Sequence, residues 1–357
     1  MSLPGPRLEL RRGPVEITGK RKQATIHDVA EAAGVAIGTV SRYLNGQTVR
    51  NGNRAEIERA IEALSFQRSA AARAMKSDKT DVIGFLTPEL DEFHAQLLNH
   101  LARLFRQSGR TLLTYCHDGD IRLLSESLSY FAGQNVDALI LAGHGDIPNE
   151  VERFVERGIP VTVYNNDIMG LRVDRVFVEN AKASYRAVRH LIDLGHTRIA
   201  TAFGTLDTSS GLQRLNGYQQ ALEEGRIAFN PSYLHSGDWT EEGGYSAIQK
   251  FMALAEPPTA VFSANYKMTY GILEWVREHR ARVPEDIAIV SFDDVELFRL
   301  YDDGVTAIAQ PIEKIAQSIS AYVLSRLTQD NVPDIRTRTL DCNLILRGSS
   351  HFRRSSR

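Results

Sequence analysis

The stretch GVAIGTVSRYLNG, residues 34–46, concentrates side chains that can bind a polyanion. Arg42 can donate two hydrogen bonds to the O6 and N7 atoms of a guanine, and the hydroxyls of Thr39 and Ser41 suit phosphate oxygens. The stretch has helical periodicity, yet Gly38 in its middle costs about 1 kcal/mol relative to alanine. Either these residues have a binding role that outweighs helix stability, or Arg42 is a solvated surface residue and Thr39 merely packs.

The sequence has no pattern of a familiar catalytic or metal site. It contains no GxSxG, no P-loop and no HExxH, and His196 in LGHTRIA has no evident nucleophile beside it. We expect His196 to bond the backbone between a helix and a strand. Cys116 and Cys342 lie in no CxxC or Cys/His spacing that binds zinc. These features predict a protein without enzyme activity, cofactor or metal, from a reducing compartment.

Charge is distributed unevenly along the 357 residues. Residues 1–80 carry 14 Lys and Arg against 8 Asp and Glu, although the formal net charge of the whole chain is −2. A basic segment before an acidic remainder indicates that the first segment contacts a polyanion. No apolar run reaches the roughly 18 residues of a membrane span, and residues 1–22 lack the apolar part of a secretory signal. We therefore expect a cytoplasmic protein, with residues 1–22 a disordered arm or an addition to the native chain.

Three short helices are predicted within residues 23–67. Thr25 and Asp28 can form a capping box at the start of the first helix. Residues 34–46 form the second helix, and NRAEIERAIEALSF, with apolar residues at helical spacing, forms the third. The residues of the second helix region expected to face inward are Val35, Val40 and Leu44. Two helices joined by a tight glycine turn and braced by a third form a helix-turn-helix domain.

From residue 81 to residue 357, short β-rich runs alternate with amphipathic helical patterns. The predicted strands are VIGFLT, TLLTYC, ALILAG, PVTVYN, RIATAFG, TAVFSAN and IAIVSFDD. The alternation predicts parallel sheets with helices on both faces, and the length favours two doubly wound, Rossmann-like lobes with a cleft between them. Residues 68–80, RSAAARAMKSDKT, predict a short helix and a polar linker between the helical domain and this α/β core.

The order of these segments resembles the LacI/GalR family of bacterial transcriptional regulators, over about residues 24–347. The resemblance rests on ATIHDVAEAAGV, TVSRYLNG, LGHTRIA, RLNGY, VPEDIAIVSFDD and LILRGS, in the family's order. It implies a helix-turn-helix head, a hinge helix and a core like the type I periplasmic binding proteins. The first lobe would comprise about 81–179 plus 310–336, and the second about 180–309 plus 337–350.

The resemblance implies a DNA interface on the head and the hinge. Base edges would be contacted by Ile37, Gly38 and Arg42. Further expected DNA contacts, mostly to phosphates, are Thr25, Thr39, Ser41, Asn45, Arg50, Arg54, Ser69 and Arg73. Met75 stands where the family has a leucine that wedges into the minor groove, and the alternative is a core position against the body. Arg68 stands where the family commonly has proline.

The resemblance also implies an effector pocket in the cleft. The expected residues are Phe93, His94, Asn165, Thr208, Ser210, Arg214, Trp239, Asn265 and Asp293. The amide of Asn265 and the carboxylate of Asp293 end two strands and suit vicinal hydroxyls, and Trp239 offers a flat face for stacking. Each residue also has a purely structural interpretation: Asp293 as a loop cap, Trp239 as core, or Arg214 as part of an ion pair.

Two departures from the family bear on the effector. Tyr266 stands where the family usually has aspartate, and Asn165 replaces an acid that is common at its strand end. A sugar is the expected effector, and His94 together with Arg214 could instead receive an acidic sugar. A nucleobase or nucleoside is the alternative, because Trp239 and Phe93 could stack a purine.

These inferences predict a ligand-responsive, sequence-specific repressor that binds a palindromic operator as a homodimer. No leucine heptad follows LILRGS, so no tetramerising bundle is expected. A solute-binding protein without DNA activity is the alternative from another class. It would be expected to have a signal peptide and no basic head.

Overall fold

A computed structural model describes residues 24–66, 79–144, 147–329 and 334–351. The chain forms two compact units, which meet in the sequence between Lys79 and Thr80. The predicted arm, residues 1–22, lies outside the described residues. So do three residues predicted to contact DNA from the hinge, namely Ser69, Arg73 and Met75.

The first unit contains the three predicted helices: α1 (Ile26–Ala32), α2 (Ile37–Leu44) and α3 (Asn51–Ala63). The predicted capping box starts α1: the backbone N–H of Thr25 donates to Oδ2 of Asp28 at 2.7 Å, and the Asp28 N–H donates to the Thr25 hydroxyl at 3.4 Å. This bond pair satisfies donors that the first helical turn leaves without partners.

Helix α2 is held by packing, because Ala36 precedes it and no side chain caps its first turn. Val40 is completely buried together with Val29 of α1 and Ile57 of α3. Val35 and Leu44 are half-buried against the same cluster, so the predicted inward residues are confirmed. Short helices are marginal in water by themselves, so this small core is what keeps α2 folded.

The second unit is an α/β structure with two sheets. Its strands are β1 (Val82–Thr87), β2 (Thr111–Cys116), β3 (Ala138–Ala142), β4 (Val161–Tyr164), β5 (Asp174–Val178), β6 (Ile199–Phe203), β7 (Leu234–Ser236), β8 (Ala260–Ser263), β9 (Ala288–Phe292), β10 (Thr306–Ala309), β11 (Thr337–Leu340) and β12 (Asn343–Ile345). All seven predicted strands are present, and the sequence analysis missed β5, β7, β10, β11 and β12.

Eight α-helices accompany these strands among the described residues. They are α4 (Glu92–Gln107), α5 (Ile121–Gly133), α6 (Pro148–Glu156), α7 (Asn180–Asp193), α8 (Ser209–Glu224), α9 (Glu241–Met252), α10 (Tyr266–His279) and α11 (Ile312–Thr328). Short 3-10 turns occur at Pro231–Tyr233, Glu296–Arg299 and Gly348–Ser350. Strands β1, β3, β4, β8 and β9 are almost wholly buried, as expected for parallel strands with helices on both faces.

The two sheets define two lobes. The first sheet has the order β11-β5-β4-β3-β1-β2 and is entirely parallel. Within it Phe85 of β1 lies opposite Thr114 of β2 and Ile140 of β3. The second sheet has the order β12-β10-β9-β8-β6-β7, and β12 pairs antiparallel with β10. Two doubly wound sheets of this kind confirm the predicted fold class.

The chain crosses between the lobes three times: between β5 and β6, between β10 and α11, and between β11 and β12. The last crossing corrects the predicted lobe boundary. Residues from 337 onward were expected in the second lobe, but β11 pairs with β5 of the first sheet from Thr337 to Leu340. The chain therefore enters the second lobe only after Leu340, because the TRTL segment, exposed except for Leu340, completes the edge of the first sheet.

Close helix packing in the second lobe fixes one predicted site residue. A Cβ on Gly217 of α8 would lie 2.1 Å from the carbonyl oxygen of Ala181 in α7, so only glycine allows these helices to approach this far. Arg214 precedes Gly217 by almost one turn on α8 and is buried. The glycine of the RLNGY motif therefore sets the depth at which Arg214 enters the lobe.

Candidate functional site

The head presents the predicted base-reading residues on its surface. Ile37 is 42% exposed, and Gly38 and Arg42 are exposed on the same helix whose Val40 is completely buried. Thr39 and Ser41 are half-buried beside them. Ile37 begins α2 and Arg42 lies in its last turn, and an exposed apolar side chain and an exposed arginine on one surface helix are suited to reading base edges in a major groove.

Gly38 and Arg42 are linked within α2. The Nε of Arg42 donates to the carbonyl oxygen of Gly38 at 3.3 Å, one turn away. A Cβ built on Gly38 would meet no atom within 4 Å outside its own helix backbone. The packing of the head therefore does not require glycine at this position, and the space beside Gly38 is open.

The predicted phosphate contacts are all on the surface. Thr25, Asn45, Arg50 and Arg54 are exposed. The Thr25 hydroxyl caps α1, and Asn45 follows the last residue of α2. Arg50 directly precedes α3. These four side chains are therefore accessible on the surface of the head.

Glu58 was missed by the sequence analysis and joins two residues of this surface. Its Oε1 accepts a hydrogen bond from Nε of Arg54 at 3.0 Å and another from the hydroxyl of Tyr43 at 2.9 Å. The bonds from Arg54 and Tyr43 lower the pKa of the Glu58 carboxyl. In this state Glu58 offsets the charge that Arg54 would offer to a phosphate.

Arg214 is the centre of the polar cluster in the second lobe. Its Nε donates to Oδ1 of Asn180 at 2.9 Å, and its Nη1 donates to the carbonyl oxygen of Ala264 at 2.6 Å. Its guanidinium carbon lies 3.5 Å from the ring centroid of Phe292. Its Nη2 has no hydrogen-bond partner among the described residues. The cluster therefore holds the guanidinium rigidly and leaves one of its donors available.

Asp293 faces this guanidinium from the end of β9. Its Oδ2 lies 3.8 Å from Nη1 of Arg214, and its Oδ1 accepts a hydrogen bond from Nε2 of Gln310 at 2.6 Å. Burial raises the pKa of the Asp293 carboxyl, against the opposing effect of Arg214. The residue adopts a left-handed conformation, with φ of 70°. Both the ion-pair interpretation of Arg214 and a ligand-binding role are compatible with this geometry, since 3.8 Å leaves the pair only loosely joined.

Trp239 and Asn265 support one another. The amide of Asn265 donates to the carbonyl oxygen of Trp239 at 3.0 Å and accepts from the Met268 N–H at 2.8 Å, which caps α10. The indole N–H of Trp239 donates to the Thr205 hydroxyl at 3.1 Å. The polar groups of Asn265 are therefore already engaged, and its main part in a binding site would be to position Trp239.

One face of the Trp239 ring is covered by the chain itself. A Cβ on Gly204 would lie 2.0 Å from the indole, so the ring packs directly on the backbone there. The guanidinium of Arg214 lies 5.5 Å from the ring centroid. Trp239 is half-buried and packs against the core of the second lobe, so it is partly a core residue and partly a wall of the cleft.

His94 lies in the first turn of α4, in the first lobe. Its Nδ1 lies 2.6 Å from Oδ1 of Asp91, which also accepts the His94 backbone N–H at 2.8 Å. Burial raises the pKa of the Asp91 carboxyl, but the hydrogen bond from His94 outweighs burial and holds that pKa below its usual value. The half-buried ring of Phe93 meets the His94 ring edge-on at 5.1 Å. Asp91 thus orients His94 by a bond that the sequence analysis missed.

The two lobes meet directly around this turn. The Tyr266 hydroxyl of the second lobe accepts the backbone N–H of Glu92 at 3.3 Å, and the Glu92 carboxylate accepts the Glu296 N–H at 3.1 Å. Lys267 forms an ion pair with Glu89. Tyr266, which replaces a family aspartate, therefore connects the lobes through a helix N-terminus.

A second set of contacts joins the lobes near the remaining predicted residues. The Ser210 N–H donates to Oδ1 of Asn166 at 3.1 Å, and the Asp167 N–H donates to the Ser209 hydroxyl at 3.0 Å. Asn165 lies next to Asn166 in a left-handed conformation, and Thr208 caps α8 through its hydroxyl. Thr208 and Ser210 therefore act mainly in the structure of this contact region, Thr208 as a helix cap and Ser210 through its bond to Asn166.

The expected absence of metal and membrane features can be compared with the described part of the chain. There, no group of three or more His, Cys, Asp or Glu side chains could hold a metal ion, and no helix is long and apolar enough to cross a membrane. Nδ1 of His196, which follows α7, lies 2.9 Å from the hydroxyl of Thr259, which precedes β8.

Comparison with known proteins agrees with this architecture. Residues 25–69 match the model of the bacterial regulatory proteins of the lacI family, and residues 188–350 match the periplasmic binding protein-like domain. The ribose operon repressor of Haemophilus influenzae is 30% identical over 329 residues, which cover 91% of this chain and 98% of that protein.

Two solved structures have the same fold. The transcriptional regulator CelR in complex with cellobiose is 28% identical, with a TM-score of 0.70 over 92% of this chain and 100% of that one. The lac repressor dimer bound to operator and the anti-inducer ONPF is 24% identical, with a TM-score of 0.82 over 92% and 99% of the two chains. The head, the two-lobed core and the extent of these matches lead to one assignment: the chain belongs to the lacI family of bacterial regulatory proteins, which are DNA-binding transcriptional repressors and not enzymes.

Proposed function

We propose that this protein is a cytoplasmic, dimeric repressor that binds a palindromic operator and is switched by a small carbohydrate-like effector in the cleft. The observation that supports the effector class is the loosely joined pair of Arg214 and Asp293, 3.8 Å apart. A hydroxyl both donates and accepts, so one hydroxyl can bond a carboxylate and a guanidinium together. Vicinal hydroxyls of a sugar would use this pair with little rearrangement.

DNA binding is supported by the exposed face of α2. Ile37 and Arg42 would contact base edges, and Gly38 would let the backbone of α2 approach the groove closely. Thr39, Ser41 and the exposed head residues Thr25, Asn45, Arg50 and Arg54 would contact phosphates. In the hinge, Ser69 and Arg73 would follow the backbone, and Met75 would enter the minor groove at the centre of the operator.

Switching requires that the effector bind two lobe arrangements with different affinity. In the arrangement described, the Tyr266 hydroxyl accepts the Glu92 N–H in the first turn of α4, and Lys267 pairs with Glu89 in the loop before that helix. An effector that bridges Arg214 and His94 would alter the balance between this arrangement and a more open one. Two relatives fit a carbohydrate, since one is a ribose operon repressor and another is bound to cellobiose, whereas the names of the repressors PurR of Aliivibrio salmonicida and CytR of Escherichia coli, 27% and 30% identical, mention no sugar.

A nucleobase or nucleoside effector is the alternative. It would need an aromatic face that is available for stacking, and Trp239 has one face on Gly204 and Arg214 near its ring. This arrangement leaves less of the Trp239 ring available for stacking a base. Phe93 is the remaining aromatic residue that could stack a base.

Operator binding is tested with the full-length protein and a palindromic fragment from its own promoter region. Binding should weaken steeply between about 50 and about 200 mM salt, because phosphate contacts release counterions. A shuffled fragment of equal length is the control. Equal affinity for both fragments at every salt concentration would contradict the proposal.

The effector class is tested by the shift of the thermal unfolding midpoint with sugars, sugar acids and nucleosides. A ligand at about 100 times its Kd stabilises the folded protein by about 2.7 kcal/mol, which a midpoint measurement detects. Stabilisation by a sugar, together with a change in operator affinity, is the expected result. Stabilisation by a purine and by no carbohydrate would overturn the carbohydrate assignment.

A further inference from the structure

The arginines of the described head differ in their hydrogen-bond partners. Nε of Arg42 donates to a neutral group, the carbonyl oxygen of Gly38, and Arg50 forms no ion pair with a described residue. Arg54 and Arg59 each pair with a glutamate of α3. Among the predicted DNA contacts of the described head, Arg54 is therefore the one arginine that is already paired with a carboxylate.

One carboxylate oxygen of Glu58 holds Arg54 of α3 and Tyr43 of α2. Oε1 accepts from Nε of Arg54 at 3.0 Å and from the Tyr43 hydroxyl at 2.9 Å. The bond from Arg54, followed by the bond from Tyr43, lowers the pKa of the Glu58 carboxyl. Glu58 is therefore ionised at neutral pH, and two helices hold its carboxylate beside Arg54.

The guanidinium of Arg54 is bonded to the described residues through Nε alone. Its Nη1 and Nη2 have no such partner, and the side chain is 64% exposed. An arginine binds a phosphate most strongly through two parallel N–H bonds, and Nε is one of the donors that can form them. Glu58 therefore occupies one donor of Arg54 with an anionic oxygen, which is the kind of group that DNA would offer.

A phosphate that binds Arg54 must compete with this carboxylate. It either displaces Glu58 from Nε, or binds Nη1 and Nη2 while Glu58 remains beside it. Displacement leaves Glu58 with Tyr43 as its remaining hydrogen-bond partner among the described residues. Joint binding places two negative groups around one guanidinium, and these groups repel each other. In both cases Arg54 adds less to DNA affinity than an unpaired arginine would.

We propose that Glu58 is an internal competitor for the phosphate contact of Arg54 and thereby lowers the affinity of the head for all DNA. This inference rests on the proposed function, in which Arg54 contacts a phosphate, and adds a residue that limits the strength of that contact. Effectors typically change the affinity of allosteric proteins by about 5–150-fold. A head that binds DNA several-fold less tightly keeps release of the operator within that range.

Helix α3 offers a matched control at Glu56. The side chains of Glu56 and Glu58 are 47% and 49% exposed, and Glu56 pairs with Arg59. Neither Glu56 nor Arg59 is a predicted DNA contact. Glu56→Gln and Glu58→Gln therefore remove the same charge from the same helix, but only the second releases a predicted phosphate contact.

The measurement is the affinity of the full-length variants for the operator fragment and its shuffled control between about 50 and about 200 mM salt. Glu58→Gln should bind both fragments about 3–5-fold more tightly than the wild type, as expected for loss of an exposed competing pair. Its salt slope should be steeper by up to about 0.9, the value for one phosphate contact. Glu56→Gln should change affinity by less than about 2-fold.

Two further variants separate competition at Arg54 from a structural effect. Glu58→Ala removes the acceptor as well as the charge, so it should tighten DNA binding at least as much as Glu58→Gln. A head that had lost its structure would instead bind both fragments more weakly, with a lower unfolding midpoint. In the Arg54→Gln background, Glu58→Gln should change affinity no more than Glu56→Gln does, because the contact for which Glu58 competes is gone.

Weaker DNA binding by both Glu58 variants at an unchanged unfolding midpoint would overturn the competitor role and make Glu58 a residue that positions Arg54. An equal effect of Glu56→Gln, or a full effect of Glu58→Gln without Arg54, would also overturn it and leave a general effect of charge. Equal affinity of the wild type for the two fragments contradicts operator recognition, while the glutamate variants still decide the role of Glu58. A wild type that binds no DNA would overturn both.

Discussion

Nη1 of Arg214 lies 3.8 Å from Oδ2 of Asp293, and the two side chains are only 5% and 13% exposed. Burial lowers the pKa of Arg214 and raises that of Asp293, while each residue opposes the shift of the other. Each side chain therefore favours the charged form of its partner inside the second lobe. Removal of either one leaves a buried charge without a counterion.

Asp293→Asn should consequently destabilise the protein, although asparagine can still accept the bond from Gln310. The expected loss in the free energy of unfolding is about 3 kcal/mol, measured by urea unfolding at neutral pH. Asp286→Asn removes a carboxylate from the exposed pair with Arg282 and should cost less than about 1 kcal/mol. Equal losses in the two variants would show that the buried pair of Arg214 and Asp293 contributes no more to stability than the exposed pair of Arg282 and Asp286.

Gly38→Ala should stabilise the head and change operator preference. A Cβ at this position meets no neighbouring atom, so alanine gains about 0.5–1 kcal/mol of helix stability without strain. On DNA the added methyl group would stand between α2 and the groove. Unfolding of the head and affinity across a library of half-sites are the measurements.

Gly52→Ala is the control, because Gly52 lies in α3 and its Cβ position is also open. It should leave the order of preferred half-sites unchanged. Should Gly38→Ala also leave both affinity and preference unchanged, Gly38 is a tolerated defect rather than part of the reading surface.

Arg42 and Arg54 should respond differently to substitution. Arg42→Lys keeps the charge but loses the planar fork, so it should cost about 1–3 kcal/mol at one G·C pair and relax preference there. Arg54→Gln should weaken binding to all sequences alike and reduce the salt slope by about one phosphate contact. Half-site selection and salt titration distinguish the two. A uniform loss from Arg42→Lys would remove its base-reading role.

The stability of the core should fall as the pH drops from about 6.5 toward about 4. Burial lowers the pKa of His117 to about 4, whereas histidine in an unfolded chain titrates near 6.5. The unfolded state therefore binds a proton first as pH falls, and up to about 3 kcal/mol of stability present above pH 6.5 is lost in this interval. Urea unfolding between about pH 7.5 and about pH 5 measures the fall.

His117→Asn should flatten this part of the profile. A smaller dependence will remain, because burial also lowers the pKa of His190 and His196. If the variant and the wild type lose stability in parallel over the whole interval, His117 is not the group responsible.

The alternation of strands and helices was sufficient to predict two doubly wound lobes, because buried parallel strands leave long apolar runs in the sequence. The missed strands lack that signal: β11 is an exposed edge, and β7 and β12 have three residues each. These strands form because neighbouring strands provide hydrogen-bonding partners. Their own composition does not reveal them.

The candidate site was predictable where a motif carried it and not elsewhere. Arg214 and Asp293 stand in recognisable segments, RLNGY and IVSFDD. Tyr164 ends a run, VTVY, that reads as ordinary core, and nothing in the sequence indicates that its ring stacks on Phe85 and meets the ring of His94 edge-on. Glu58 and Gln310 act through residues distant in the sequence, so only the folded chain reveals their roles.

The three crossings between the lobes also constrain how the protein is made. The first sheet has an edge strand missing until residues 337–340 have left the ribosome, and the second sheet lacks β12 until residue 345. Neither sheet can therefore be completed until nearly all of residues 1–345 have been synthesised. Nascent chains that stop before residue 337 would leave the edge of β5 unpaired. We expect such incomplete chains to be degraded by proteases rather than to act as repressors.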